Sequence, residues 1–393
     1  MKTFTRETPS RVNRFERYPK TILALVMVGL TLIADFVLTG IYHIQKYGTI
    51  HKYAERRALR ESSPVFHHTL KANGEQREQK WGNLSSPFYT NSLGFKDKRV
   101  GQVQLKTDNY RILFIGDSFT EGIGIAYEKT FVGIVDHALS LDKIEVLNAG
   151  VSSYSPTIYF KKVECLLETV GLDFDHLVVF LDISDIEDEV KRYDMQDGRV
   201  VGLESQTSRL KEFVYEYTGL LKNIWTVVVK IQTALDPTHE DLRTETERRY
   251  GINQQKSLWT VDERLFREYG ERGLEKVRRM MERLYRLLQD HQIGMTLAVY
   301  PWPDQIVHND LYSRQVIVWQ AWARERSVNF LNLFPLFISR DGEAKQVIER
   351  YFIEGDVHWN EDGHRVVAQA LLRNMQSVLP TLSKGKRGKV EKD

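Results

Sequence analysis

One stretch constrains this chain more than any other: Arg111 to Gly124, reading RILFIGDSFTEGIG. Its apolar run, Ile112 to Ile115, is short and bounded, the pattern of a strand buried on both faces of a parallel sheet. The run passes directly into Gly116-Asp117-Ser118-Phe119-Thr120, and a helical pattern begins near Tyr127. Open α/β sheets place their ligands at the carboxyl ends of strands, so a serine at this turn sits where chemistry is done. A following helix adds free backbone N–H groups and a partial positive charge, both suited to a developing oxyanion. Ser118 is therefore the candidate nucleophile. An ordinary strand–helix turn capped by Asp or Ser has the same local pattern, so its partners must be sought elsewhere in the chain.

The N-terminus bears on where such a domain works. Thr21 to Ile44 (TILALVMVGLTLIADFVLTGIYHI) is a nearly continuous apolar run, long enough to cross a bilayer as a helix. Asp35 interrupts it. A carboxylate at depth costs ~3 kcal/mol on insertion scales, which the surrounding Leu, Ile and Val offset. A cleaved leader has a shorter apolar core and a small-x-small site after it, so an uncleaved anchor over 21–44 is expected. Basic residues flank the run on both sides, Lys2, Arg6, Arg11, Arg14, Arg17 and Lys20 before it and Lys46, Lys52, Arg56, Arg57 and Arg60 after it. The orientation expected is a cytoplasmic tail over 1–20 and a catalytic domain outside, periplasmic or extracellular. A single cysteine, Cys165, excludes an intramolecular disulfide and a cysteine-based zinc site. A net charge of +2 gives no reason to expect nucleic acid.

Residues 45–110 have few long apolar runs and several turn signals, and read as a lead-in or spacer. From 111 the chain alternates. Strands are expected at Ile112–Ile115, Ile144–Leu147 and Leu177–Leu181, with helical patterns at Thr130–Leu141 and Thr157–Val170 between them. That rhythm predicts a parallel sheet with helices on both faces. Later strands fall at Met295–Tyr300 and Phe330–Phe334, and a last helix runs from Asn360 to Ser377. Between 192 and 258 the rhythm breaks, with a helical apolar run at Leu220–Ala234. A cap over the active site and a partner surface both fit that interval. The domain is expected to end by 380, and the basic tail 381–393 to be disordered.

A serine nucleophile needs a base, an orienting acid and oxyanion donors. After the second strand, Asn148-Ala149-Gly150 puts a glycine N–H at the carboxyl end of a neighbouring strand. Near the C-terminus, Gly355-Asp356-Val357-His358-Trp359-Asn360 offers the other parts. Residues two apart in an extended segment project the same way, so Asp356 can hold one ring nitrogen of His358 while the other faces a hydroxyl. Asn360 fits as the cap of the last helix, and His364 falls inside it. The acidic run Asp182–Glu189 (DISDIEDE) comes from one short segment without a histidine, so no metal is expected there. No cofactor is expected. Trp302, just after a late strand, is a candidate for stacking on a sugar ring, with core packing as its plainer role.

In this order and spacing the blocks resemble the SGNH (GDSL-type) hydrolase superfamily, over about residues 111–378. The resemblance implies a flavodoxin-like three-layer α/β/α fold with a parallel sheet. It also implies activity on esters, often O-acetyl or other acyl groups of carbohydrates and lipids. It makes Ser118 the nucleophile, His358 the base and Asp356 its orienter, with the N–H groups of Ser118 and Gly150 as two oxyanion donors. The family's third donor is an asparagine side chain in a Gly-x-Asn-Asp block. Here the strand ends Phe180-Leu181-Asp182-Ile183-Ser184-Asp185, which puts Ser184 at that position. Asn148 is a substitute donor or a brace for its turn. The Asp-x-His spacing, where most members have Asp-x-x-His, is similar to periplasmic proteins that O-acetylate alginate and related polysaccharides. The reading is an anchored, outward-facing acyl esterase or O-acyltransferase, acting on an acylated carbohydrate or lipid, with an envelope protein as a further partner. The alternative is a catalytically weakened scaffold that binds a glycan or an envelope partner.

Overall fold

The computed structural model describes residues 18–47, 58–142, 144–203, 213–214, 216–235, 245–252, 255–338 and 343–387. The chain divides into two compact units, Met1–Glu55 with Ser205–Glu240, and Arg56–Glu204 with Asp241–Asp393.

An eight-stranded sheet organises the larger unit. Its strands are β1 (Glu75–Trp81), β2 (Leu84–Thr90), β3 (Lys96–Asp97), β4 (Tyr110–Ile115), β5 (Ile144–Asn148), β6 (His176–Leu181), β7 (Gly294–Val299) and β8 (Asn329–Asn332). They lie in the order β8-β7-β6-β4-β5-β3-β2-β1. Strands β4 to β8 are parallel, with Leu113 opposite both Leu147 and Leu177. Every residue of β6 is buried and only Tyr110 of β4 is partly open, as continuous apolar strands covered on both faces require.

The helices of the larger unit include α1 (Ser118–Glu121), α2 (Phe131–Leu139), α3 (Pro156–Glu164), α4 (Asp185–Lys191), α5 (Glu271–Asp290), α6 (Arg314–Glu325) and α7 (Glu361–Arg387). Helices α3, α4 and α5 pack with one another, and α2 packs with α7, giving a layer on each side of the sheet. The core between them mixes aliphatic and aromatic side chains; Phe131 and Phe180, for example, meet with ring centroids 4.3 Å apart. Strand β4 has β5 on one side and β6 on the other, so the strand order reverses at β4. The crevice at such a reversal opens at the carboxyl ends of the strands, and Ser118 leaves β4 there.

The lead-in contributes to the domain: Arg60–Ser63 pairs with His67–Leu70, and β1 to β3 extend the sheet in antiparallel fashion, β3 pairing with β5 at Lys96 and Asn148. Strand β1, EQREQKW, is an edge, and a charged edge strand resists pairing with other chains while hiding its own strand character from the hydropathy pattern. The irregular interval 192–258 is split between the two units. The hairpin Tyr193–Gln196/Arg199–Gly202 falls in the larger one, and the helix Leu220–Leu235 falls with the apolar N-terminal helix Pro19–Tyr47 in the smaller one. Helix α7 continues to Arg387, past the expected Ser377. The tail 1–17 and residues 388–393 lie outside the described residues.

Candidate active site

Ser118 opens α1, a single turn set between two glycines. A Cβ on Gly116 would lie 2.9 Å from the Phe180 carbonyl and against the Thr120 hydroxyl, so the strand can turn here only without a side chain. Gly122 ends the turn in the left-handed region, φ 71°. Asp117 caps it by accepting from the Phe119 N–H at 2.9 Å. Ser118 is 8% exposed, and its backbone N–H donates to no group among the described residues.

Asp356 and His358 come from the loop before α7. Gly355 turns the chain with φ 70°, Ile353 N–H donates to the His358 carbonyl, and Asp356 N–H donates to the Ile353 carbonyl. Asn360 caps α7, accepting from the N–H groups of Asp362 and Gly363, and its amide donates back to the Arg350 and Phe352 carbonyls. Trp359 is fully buried against Phe119 and Phe337. With the flanks so held, His358 Nε2 lies 2.8 Å from Ser118 Oγ and His358 Nδ1 lies 2.5 Å from Asp356 Oδ1. The carboxylate calls for a proton on Nδ1, which leaves Nε2 to accept from the serine.

A fourth residue completes this line. Trp81, at the end of β1, donates its indole N–H to Asp356 Oδ2 at 2.7 Å and meets the His358 ring edge-on, centroids 5.6 Å apart. Partial burial raises the Asp356 pKa, but the bonds and charge of His358 and the Trp81 bond outweigh it and hold the carboxyl at about 2. Trp81 was not singled out from the sequence. Its one signal is a lone aromatic in a charged run.

The second expected oxyanion donor, Gly150, is close to the nucleophile turn but engaged. Gly150 packs on α1 so tightly that a Cβ would lie 2.6 Å from Thr120 Cβ and 3.0 Å from the Glu121 nitrogen. Its N–H donates to Asn148 Oδ1 at 3.1 Å, while the Asn148 amide donates to the Thr120 carbonyl at 2.8 Å. Asn148 therefore braces its turn. Ser184 is buried, and its N–H donates to Asp182 Oδ1 at 2.7 Å.

Beneath Ser118 lies a bed of buried acids. Asp117 accepts from the Tyr300 hydroxyl, and the Trp302 indole N–H donates to Asp182 at 2.8 Å. The Tyr159 hydroxyl donates to Asp185. Burial, with the neighbouring carboxylates, pushes Asp117 and Asp185 well up; burial also raises Asp182. Asp117 Oδ2 also accepts from Ser118 Oγ at 3.2 Å. Further along the acidic run, Asp188 pairs with Arg192 and Lys256, and Glu189 accepts from Ser155 and Thr157.

Trp302 is a correction. It is 4% exposed, tied to Asp182 and packed on Phe119, so it presents no face on which a sugar could stack. His364 is inside α7 as expected, accepting from Phe131 N–H.

No protein-family model matches the sequence, and no curated protein matches it. Among solved structures, the chain is similar to a lipolytic protein of the G-D-S-L family from Desulfitobacterium hafniense, at 13% identity and TM-score 0.38, covering 68% of this chain and 99% of that one. It is similar to a catalytic mutant of an acetylxylan esterase from Geobacillus stearothermophilus, at 14% and 0.38, covering 69% and 96%. A psychrotrophic esterase from Pseudoalteromonas matches at 11% and 0.36, covering 69% and 100%. At these identities and scores the likenesses decide nothing about the chemistry of this chain.

Proposed function

We propose that this chain is an SGNH (GDSL-type) serine hydrolase: a membrane-anchored, outward-facing acyl esterase or O-acyltransferase. The observation that carries the reading is the hydrogen-bonded line Ser118–His358–Asp356, assembled from positions 240 residues apart in the chain. Ser118 Oγ attacks the ester carbonyl as His358 Nε2 takes its proton, and Asp356 steadies the imidazolium. The Ser118 N–H points its dipole at the developing oxyanion, and Gly150 N–H joins it once Asn148 releases it. His358 then gives the proton to the leaving alcohol, and the acyl group stays on Ser118. Water completes a hydrolysis; a sugar hydroxyl completes a transfer. The substrate class is an O-acyl, foremost O-acetyl, ester of an envelope carbohydrate, with a lipid ester as the other member of the class. An acetylxylan esterase is among the structures the chain is similar to. The helix Pro19–Gln45 is long and apolar enough to cross a membrane and would hold the catalytic unit outside the cytoplasm.

The test is labelling of the full chain in detergent by a fluorophosphonate, beside Ser118→Ala and His358→Ala. Labelling that vanishes in both variants supports an activated serine. A folded wild type that does not label favours the second reading, a scaffold that binds a glycan or envelope partner. What favours that reading is that the Gly150 N–H is already bound within the protein, by Asn148.

A further inference from the structure

The smaller unit pairs the anchor helix Pro19–Tyr47 with an insertion helix, Leu220–Leu235, and the pairing is specific. Asp35 Oδ1 accepts from the N–H groups of Gly219 and Leu220, at 3.0 and 2.8 Å, and Oδ2 accepts from Leu221 N–H at 3.2 Å. Thr39 Oγ1 also accepts from Gly219 N–H. The one carboxylate in an apolar span is thereby turned into the N-terminal cap of a second helix. Phe213 and Tyr217, just ahead of that cap, set their rings against Phe36. Asp35 is 9% exposed, whereas Leu30 and Ile33 on the same helix are 57% and 63% exposed.

Asp35 precedes the end of the span, Gln45, by ten residues, or about 15 Å at helical rise, which is half a bilayer core. The insertion helix begins at that depth. It has 16 residues, too few to cross, and both ends of the insertion run into the larger unit. Its Leu220, Ile224, Val227, Val228 and Ile231 are exposed and fall on one face, continuing the apolar surface of the anchor.

We infer that the described stretch Thr218–Leu235 of the insertion is a re-entrant membrane element: it lies in the leaflet beside the anchor, is fastened there by Asp35, and lays Leu220, Ile224, Val227, Val228 and Ile231 against lipid acyl chains. This rests on the reading of Pro19–Gln45 as a membrane span, and it gives Asp35 the purpose of fixing a lipid-facing helix.

The test uses the full chain with Cys165→Ser, reconstituted in phosphatidylcholine–phosphatidylglycerol vesicles. Single cysteines carry an environment-sensitive fluorophore: Ile224→Cys and Val228→Cys on the insertion helix, Leu30→Cys on the anchor, and Val261→Cys on the larger unit. The expected result is quenching of the first three by nitroxides on lipid chains, to within about twofold of one another, with aqueous iodide quenching only Val261→Cys. Iodide quenching at 224 and 228, with lipid quenching retained at 30, overturns the inference and leaves the anchor standing. Quenching by neither means that protein covers the face, and overturns it equally. Loss of lipid quenching at 30 removes the anchor reading itself. Asp35→Ala is expected to move the 228 label from lipid to iodide quenching at least twofold while 30 stays in lipid, with Asp35→Asn between the two. An unchanged 228 signal in Asp35→Ala overturns the fastening.

Discussion

Asp356 is gripped from two directions, by the imidazole and backbone N–H of His358 and by the indole N–H of Trp81. A carboxylate so held aims the His358 ring, because each oxygen has a fixed donor and neither can swing away. Trp81→Phe keeps the ring against His358 but removes the donor. A hydrogen bond to a charged group contributes roughly 1.5–3 kcal/mol, so fluorophosphonate labelling should slow by about tenfold or more with the melting temperature little changed. An unchanged labelling rate would make Trp81 a packing residue only. The acids under Ser118 carry the opposite sign. The Asp185 pKa is raised above its ordinary 3.8, so the group favours the fold fully below that value and loses the advantage as pH rises. Asp185→Asn keeps an acceptor for the Tyr159 hydroxyl and the Asp182 N–H while removing the charge. Thermal unfolding should then show the variant more stable than wild type at pH 8, with the gap closing by pH 4.

At the scale of elements, the site depends on how closely α1 approaches its neighbours. Gly116 and Gly150 both face Thr120 at distances that leave no room for a methyl group. Gly150→Ala would push α1 and shift Ser118 against His358. Overpacking of this kind costs about 1–3 kcal/mol of stability, and the misalignment should cut the labelling rate by roughly a hundredfold. A variant that labels as wild type would show that α1 tolerates displacement. The sequence pattern disclosed the βα turn and the Asp-x-His loop because both sit beside continuous buried strands or a capped helix. It did not disclose β1 to β3, which are short or polar and lack a continuous apolar run.

At the scale of the molecule, β1 to β3 belong to the sheet of the larger unit, and the segment 205–240 is grouped with the N-terminal helix in the smaller one. A chain starting at Arg56, with 205–240 replaced by a flexible linker, should fold and label with fluorophosphonate at a rate within about threefold of the full protein. A chain starting at residue 105 loses Trp81 and leaves β5 as an exposed edge, so it should aggregate or fail to label. Soluble, labelled protein from the shorter chain would show that the lead-in is dispensable.

The sequence alone disclosed the parallel α/β core, an apolar helix over 21–44 long enough to cross a membrane, and Ser118, Asp356 and His358 as candidates, since each is written in local periodicity or in spacing within a few residues. Only the tertiary structure decided what Trp81, Trp302, Asn148 and Asp35 do. Trp81 reaches Asp356 across 275 residues, and Asp35 meets Gly219 across 184. Such partners are set by which strands and helices become neighbours, and that depends on packing the whole chain at once rather than on any pattern along it.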